Sequence, residues 1–66
     1  MTDDTPDYVT IAHRPNTHDD WEVRVMHYDK RAEDYQVVMI TGPLDWYRAD
    51  AQARRWALDR KVEYRP

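Results

Sequence analysis

Cysteine, serine and phenylalanine are absent from this chain of 66 residues, and its only glycine is Gly42. Without cysteine, neither a disulfide framework nor a cysteine-based zinc site can stabilise so short a chain. A single glycine is too few for the glycine-rich loops that hold phosphate groups. Serine and cysteine are common nucleophiles of covalent catalysis, and none of the five threonines lies in a nucleophile-elbow pattern. We therefore predict a protein that is not an enzyme and that uses no cofactor.

The length indicates one small domain, whose core contributes only about 3–5 kcal/mol, so partners or further copies are common stabilisers of such chains. We predict a disordered acidic tail over residues 1–6 and a single domain over residues 7–66. The first residues lack the basic and apolar segments of a signal peptide, and no apolar run approaches the roughly 20 residues of a membrane span. These features predict a soluble protein of the cytoplasm.

Charge is unevenly distributed along the chain, although the net charge is only −3. Residues 1–47 hold ten acidic and four basic side chains, whereas residues 48–66 hold three acidic and six basic ones. This balance argues against general nucleic-acid binding, which depends on clustered Lys and Arg. Arg outnumbers Lys by eight to two, a bias that suggests a GC-rich coding source such as an actinobacterium or its phage.

Three segments have the alternating or β-branched pattern of strands: residues 8–14, 21–28 and 35–41. In the second segment, Trp21, Val23 and Val25 alternate with other residues, so these three are predicted to share one face. Residues 15–20 and 29–34 have the composition of the connecting turns.

A helix is predicted to begin at Trp46, because Asp45 is a favourable N-cap and Leu44 can pack against Ala49. Its apolar stripe has helical spacing and consists of Trp46, Ala49, Ala53, Trp56 and Ala57. Opposite charges four positions apart support the helix at two places. Residues 62–65 are predicted either to add a short fourth strand or to close the core.

The predicted fold is α+β: a three-stranded antiparallel meander with one C-terminal helix on one face, in the order βββα, or βββαβ if the fourth strand forms. The segments WEVRV (residues 21–25) and ITGPLDWYRADAQARRWALDRK (residues 40–61) resemble small uncharacterised bacterial and phage proteins of the DUF2188 type. In that type, a hairpin leads through a GP turn into an Ala-rich helix. The resemblance covers roughly the last two-thirds of the chain by layout; it implies this fold and no particular activity.

Two polar clusters are candidates for ligand binding. The first is a candidate metal cluster in or beside the first hairpin, made of His13, His18, Asp19, Asp20 and His27. It lacks the rigid spacing of catalytic zinc ligands, so we interpret its members as scattered surface residues. The second comprises Arg48, Arg54 and Arg55 on the helix. These could contact phosphate, but pairing of the last two with Asp50 and Asp59 is the favoured interpretation.

The run Val37–Ile40 has no polar residue at alternate positions, which predicts cover on both faces of this strand. We expect one pair of these residues to pack on the helix and the other pair to contact a partner or a second copy. If the face of Val23 and Val25 meets the helix, the opposite face presents Tyr8, Met26 and Tyr28 with one row of the third strand. That row is either Tyr35, Val37 and Met39, or Val38 and Ile40.

An exposed apolar and aromatic surface of this kind usually marks an interaction site. The candidate partner-binding residues are therefore Arg24, Met26, Tyr28, Tyr35, Val37 and Met39. The predicted partner is another protein, to which the chain binds as an inhibitor or adaptor, or a second copy in a homodimer. A three-stranded sheet that reads nucleic acid is the alternative, and the acidic charge of residues 1–47 disfavours it.

Overall fold

The computed structural model describes residues 5–66 and contains four strands and one helix in the order βββαβ. The elements are β1 (Tyr8–His13), β2 (Trp21–Asp29), β3 (Asp34–Ile40), α1 (Trp46–Arg60) and β4 (Glu63–Arg65). The predicted α+β class is confirmed, and the short fourth strand does form. Residues 1–4 of the predicted tail lie outside the described residues, so the disordered tail stays a prediction.

One sheet holds the strands in the order β3-β2-β1-β4. β1, β2 and β3 form the predicted antiparallel meander, with Val9 opposite Val25 and Ile11 opposite Val23. β4 lies parallel to β1, with Tyr64 opposite Val9. β1 and β2 are therefore the inner strands, and β3 and β4 are the two edges of the sheet.

α1 begins where the sequence predicts, because Asp45 supplies its N-cap. The Asp45 carboxylate accepts a hydrogen bond from the Arg48 backbone N–H at 2.8 Å. Just before it, Leu44 exchanges two backbone hydrogen bonds with Trp21, at 2.7 and 2.8 Å. These bonds tie the strand-to-helix connection to the start of β2, and they set where the helix crosses the sheet.

α1 ends at Arg60 because Lys61 adopts the left-handed conformation, with a φ of 56°. The backbone N–H groups of Lys61 and Val62 donate to the carbonyls of Leu58 and Ala57, at 3.2 and 2.9 Å. This is the hydrogen-bond pattern of a Schellman cap, which commonly places glycine at the left-handed residue. The cap turns the chain directly into β4.

The core lies between α1 and the inner strands. Its buried side chains are three valines of the sheet and three alanines of the helix: Val9, Val23, Val25, Ala49, Ala53 and Ala57. The small alanines allow the helix to lie close to the sheet. Larger residues at the margin pack around this centre and stay partly exposed: Ile11, Trp21, Leu44, Trp56, Val62 and Tyr64. Because only six small side chains are buried, loss of any one of them removes a large part of the hydrophobic stabilisation.

β3 is not covered by the helix, so our expectation for the run 37–40 is wrong on this point. α1 packs on β1, β2 and β4, and it reaches β3 only through the Arg60 side chain, which contacts the Sδ atom of Met39. The side chains of Val37, Val38, Met39 and Ile40 are 44, 53, 36 and 54% exposed. The physical reason is width: one helix about 10 Å across covers two strands spaced about 4.8 Å apart, and the edge strand lies beyond it.

Candidate partner-binding surface

The side of the sheet away from α1 is covered by no other strand or helix of residues 5–66. Strand residues alternate between the two faces, and Val9, Val23 and Val25 face the helix. Their neighbours in each strand therefore form the opposite side, which we call the open face. The apolar and aromatic members of the open face are Tyr8, Met26, Tyr28, Tyr35, Val37 and Ile40.

Three tyrosines from three different strands are in contact on the open face. The ring of Tyr35 packs edge-to-face against the rings of Tyr8 and Tyr28, with centroids 5.1 and 5.4 Å apart. The Tyr35 hydroxyl donates a hydrogen bond of 3.1 Å to the Pro6 carbonyl, on the far side of β2. Each ring is partly buried, and its neighbours hold it in one arrangement. An ordered cluster of this kind presents a large contact area at low conformational-entropy cost.

An apolar strip continues from the tyrosines along β2 and β3. Met26 is opposite Val37, and Arg24 is opposite Ile40 at the far end of the strip. Met26 is partly buried, whereas Val37 and Ile40 are about half exposed. Cross-strand neighbours on one face lie close enough to act as a single surface. The open face therefore presents one continuous patch from the tyrosines to Ile40.

A β-bulge in β3 decides which residues reach the open face. Val25 is opposite Met39, whereas the next residue of β2, Met26, is opposite Val37. Val38 is therefore the extra residue of the bulge. The bulge shifts the alternation of the strand by one position, so that residues 37 and 40 share a face while residue 39 lies on the helix side.

Five of the six predicted site residues come together on the open face: Arg24, Met26, Tyr28, Tyr35 and Val37. Met39 is the exception, because it pairs with the core residue Val25 and contacts Arg60 of the helix. Neither of the two rows predicted for the third strand is correct, since the bulge combines Tyr35 and Val37 with Ile40. No glycine or other local signal in β3 marks the bulge.

The guanidinium groups of the open face have carboxylate partners on the same face. Arg24 donates to Glu22 at 2.6 Å, and Arg65 donates to Glu63. The Arg65 guanidinium also lies over the Tyr8 ring, 4.5 Å from its centroid. In the four described strands the open face therefore carries balanced charges rather than a positive stripe.

A polar cluster that the sequence analysis did not identify joins α1 to β4. Asp50 accepts hydrogen bonds from the Tyr64 hydroxyl at 2.9 Å and from the Arg54 Nε atom at 3.0 Å. The hydrogen bond from Arg54, and to a smaller extent the one from Tyr64, holds the pKa of the Asp50 carboxyl below its usual value. Burial, together with the bond to Asp50, raises the pKa of Tyr64 to about 12. The sequence shows only the spacing of Asp50 and Arg54, because Tyr64 arrives through tertiary packing.

The residues of the candidate metal cluster have other contacts. The ring of His13 packs against Trp21, with centroids 4.6 Å apart, and the Nδ1 atom of His27 lies 2.8 Å from a carboxylate oxygen of Asp7. The Asp19 carboxylate accepts a hydrogen bond from the Trp21 indole N–H at 3.0 Å. Within residues 5–66, no group of three or more His, Asp or Glu side chains is placed to hold a metal ion.

Comparison of the chain with protein families, with curated protein sequences and with solved structures finds no match. The resemblance in layout to the DUF2188 type therefore stays a prediction. α1, the helix of the described residues, has neither the length nor the apolar character of a membrane span. The open face is consequently the observation from which a function can be inferred.

Proposed function

We propose that this chain is a small binding module without enzymatic activity, which recognises another protein through its open face and acts as an inhibitor or adaptor. The observation that supports the proposal is the arrangement of that face. An ordered tyrosine cluster and an adjoining apolar strip lie on paired strands, and no other element of residues 5–66 covers them. Tyr, Met and Arg are enriched at the centres of protein interfaces, because they combine contact area with a polar group.

The anchors of the proposed site lie on β2 and on the edge strand β3. The apolar contact area comes from Met26, Tyr28, Tyr35 and Val37, and from Ile40 in place of the predicted Met39. Arg24 borders the patch and remains paired with its carboxylate neighbour. Because Arg24 is already engaged by Glu22, whose side chain is only 14% exposed, the apolar anchors provide most of the binding free energy.

Binding of nucleic acid by the same face is the less favoured function. Phosphate contacts from Lys and Arg supply nearly all non-specific affinity for nucleic acid. On the open face, Arg24 and Arg65 are already engaged by Glu22 and Glu63. A protein with an apolar surface is therefore the partner that the chemistry of this face fits.

The test is affinity capture from a lysate of the source cell, followed by titration of the purified partner against matched variants. V37E places a carboxylate in the apolar strip of the open face, at a site 44% exposed in the free chain. L58E is the control, because Leu58 is 79% exposed on α1 and lies away from the open face. We expect L58E to keep the affinity of the wild type and V37E to weaken binding by at least about tenfold.

Circular dichroism must show that both variants remain folded, so that weakened binding reports on the surface alone. Equal affinity of V37E and the wild type would contradict the proposal. Binding that is removed by nuclease, and that falls with the steep salt dependence of phosphate contacts, would assign a nucleic-acid partner instead.

A further inference from the structure

We infer that the free edge of β3 pairs with the same edge of a second copy, so that two chains form one continuous antiparallel sheet. This surface is distinct from the open face, and the inference does not depend on the proposed function. β3 has seven residues, of which Asp34 alone is charged. Edge strands of monomeric proteins are typically short, charged or bulged, and these features oppose pairing with another chain. β3 is neither short nor charged along residues 35–40, and its one irregularity is the bulge at Val38.

The two edges of the sheet differ in their ability to pair. β4 has only three residues, two of them charged, and Pro66 follows it. β3 presents four consecutive apolar side chains that are each 36–54% exposed. Pairing through β3 therefore closes a two-fold dimer, and the short, charged β4 edges prevent the sheet from growing into a fibre.

The bulge at Val38 determines the register in which β3 can pair with itself. With the two-fold axis at the bulge, Tyr35 lies opposite Ile40 of the second copy, and Gln36 lies opposite Met39. Tyr35 and Ile40 both belong to the open face, while Gln36 and Met39 both lie on the helix side. In a strand without a bulge, this register would set residues of opposite faces against each other. Val37 and Val38 of the two copies meet at the axis. On either side of it, the side chains that meet across the new strand pair share a side of the sheet, as an antiparallel ladder requires.

The charges beside β3 also fit a second copy. Arg60 contacts the Sδ atom of Met39, a weak acceptor, and none of the ion pairs among residues 5–66 includes Arg60 or Asp34. The two-fold axis places Asp34 of one copy opposite Thr41 of the other copy. The Cα atom of that Asp34 then lies about 8 Å from the Cα atom of Met39 in the other copy. The Asp34 carboxylate and the Arg60 guanidinium can bridge this gap, and symmetry repeats the ion pair.

The test is the molar mass of the purified full chain, measured by analytical ultracentrifugation over a range of concentrations. We expect a dimer with a dissociation constant on the order of 10–100 μM, as befits an interface at the small end of the stable range. Reversal of one charge, in R60D or in D34R, replaces two attractive contacts with two repulsive ones. Each variant should raise the dissociation constant by at least about tenfold.

Mixing the two variants tests the geometry directly. In a heterodimer of R60D with D34R, one site pairs Asp34 with Arg60 as in the wild type, and the other site carries the same two charges in exchanged positions. Both contacts are attractive again, so the dissociation constant of the mixture should lie within about threefold of the wild-type value. R55D is the matched control, because Arg55 lies on the exposed side of α1 and pairs with Asp59 at 4.0 Å. We expect R55D to dimerise like the wild type.

A monomeric mass for the wild-type chain up to about 1 mM overturns the inference, since specific pairing of this kind is detectable in that range. A dimer that persists with unchanged affinity in R60D and D34R also overturns it. Asp34 and Arg60 are exposed, and circular dichroism of each variant separates loss of pairing from unfolding. Binding of a foreign protein by the open face does not require β3 pairing, so failure of this test leaves that proposal standing.

Discussion

Replacing Lys61 by glycine is expected to stabilise the protein, because Lys61 holds a backbone conformation that a side chain disfavours. Its φ and ψ are 56° and 45°, and its backbone N–H is part of the cap that ends α1. In the left-handed region, a residue with a Cβ atom destabilises the folded state by about 1–2 kcal/mol. Glycine destabilises it by only about 0.5–1 kcal/mol, through its greater freedom in the unfolded chain. The difference predicts a gain of about 0.5–1 kcal/mol in the free energy of unfolding. For a domain of this size the gain raises the Tm by roughly 2–8 °C.

The assay is thermal and urea unfolding of K61G, followed by circular dichroism at 222 nm and by tryptophan fluorescence. K61A is the control, since it removes the same charge and the same long side chain but keeps the Cβ atom. We expect no gain of stability in K61A. If K61A and K61G are stabilised equally, the effect comes from charge and not from conformation. If K61G lowers the Tm, the left-handed cap at Lys61 is incorrect and the reasoning fails.

Three further substitutions test other parts of the fold. G42A should raise the urea midpoint by an amount equivalent to about 0.4–1 kcal/mol, because an added Cβ at Gly42 meets no atom within 4 Å and its φ is not positive. V23A should lower the free energy of unfolding by about 2 kcal/mol, because Val23 is 0% exposed and two methyl groups leave the core; an unchanged midpoint would contradict the core assignment. The free energy of unfolding of D50N should fall less steeply than that of the wild type as the pH is lowered into the acid range. Folding lowers the pKa of Asp50 from 3.8, so the ionised carboxylate stabilises the folded state above that pH, and this stabilisation disappears as the pH falls through the lower pKa of the folded state. Identical profiles of stability against pH for D50N and the wild type would refute this role.

The elements of the fold are encoded locally, which is why the sequence predicts them. Asp45 can cap the helix because its carboxylate reaches an N–H group within the first turn, and this contact forms in any tertiary context. The alternation of Trp21, Val23 and Val25 likewise requires only that β2 be extended with one buried face. Both signals depend on neighbours within a few positions, and the structure contains both features.

The surroundings of β3 could not be predicted, because they depend on contacts between distant segments. The bulge at Val38 lies in a uniform apolar run, so either register looks equally favourable in the sequence. The position of the helix follows from the bonds between Leu44 and Trp21, which place α1 over β1 and β2. These two features together separate Met39 from the predicted site and add Ile40 to it.

The tyrosine cluster shows the same limit on prediction from sequence. The alternation of the strands predicts Tyr8, Tyr28 and Tyr35 on one exposed face, but the contacts among their rings depend on the register of three strands. The hydrogen bond from the Tyr64 hydroxyl to Asp50 depends on the parallel docking of β4, which no local pattern specifies. Sequence reasoning therefore identified the kinds of residues on the open face and missed how the strands bring them together.

The pairing of β4 with β1 has a consequence for the order in which the chain folds. It joins Tyr8 to Glu63, which are separated by almost the whole described chain, whereas the pairs β1–β2 and β2–β3 close short loops. Contacts between distant segments form slowly, since the intervening chain must first be ordered. We expect the two hairpins and α1 to assemble early and β4 to add last. Until β4 docks, β1 is also an unpaired edge, so a chain without docked β4 has two long free edges, and we expect it to be more prone to aggregation than the native state.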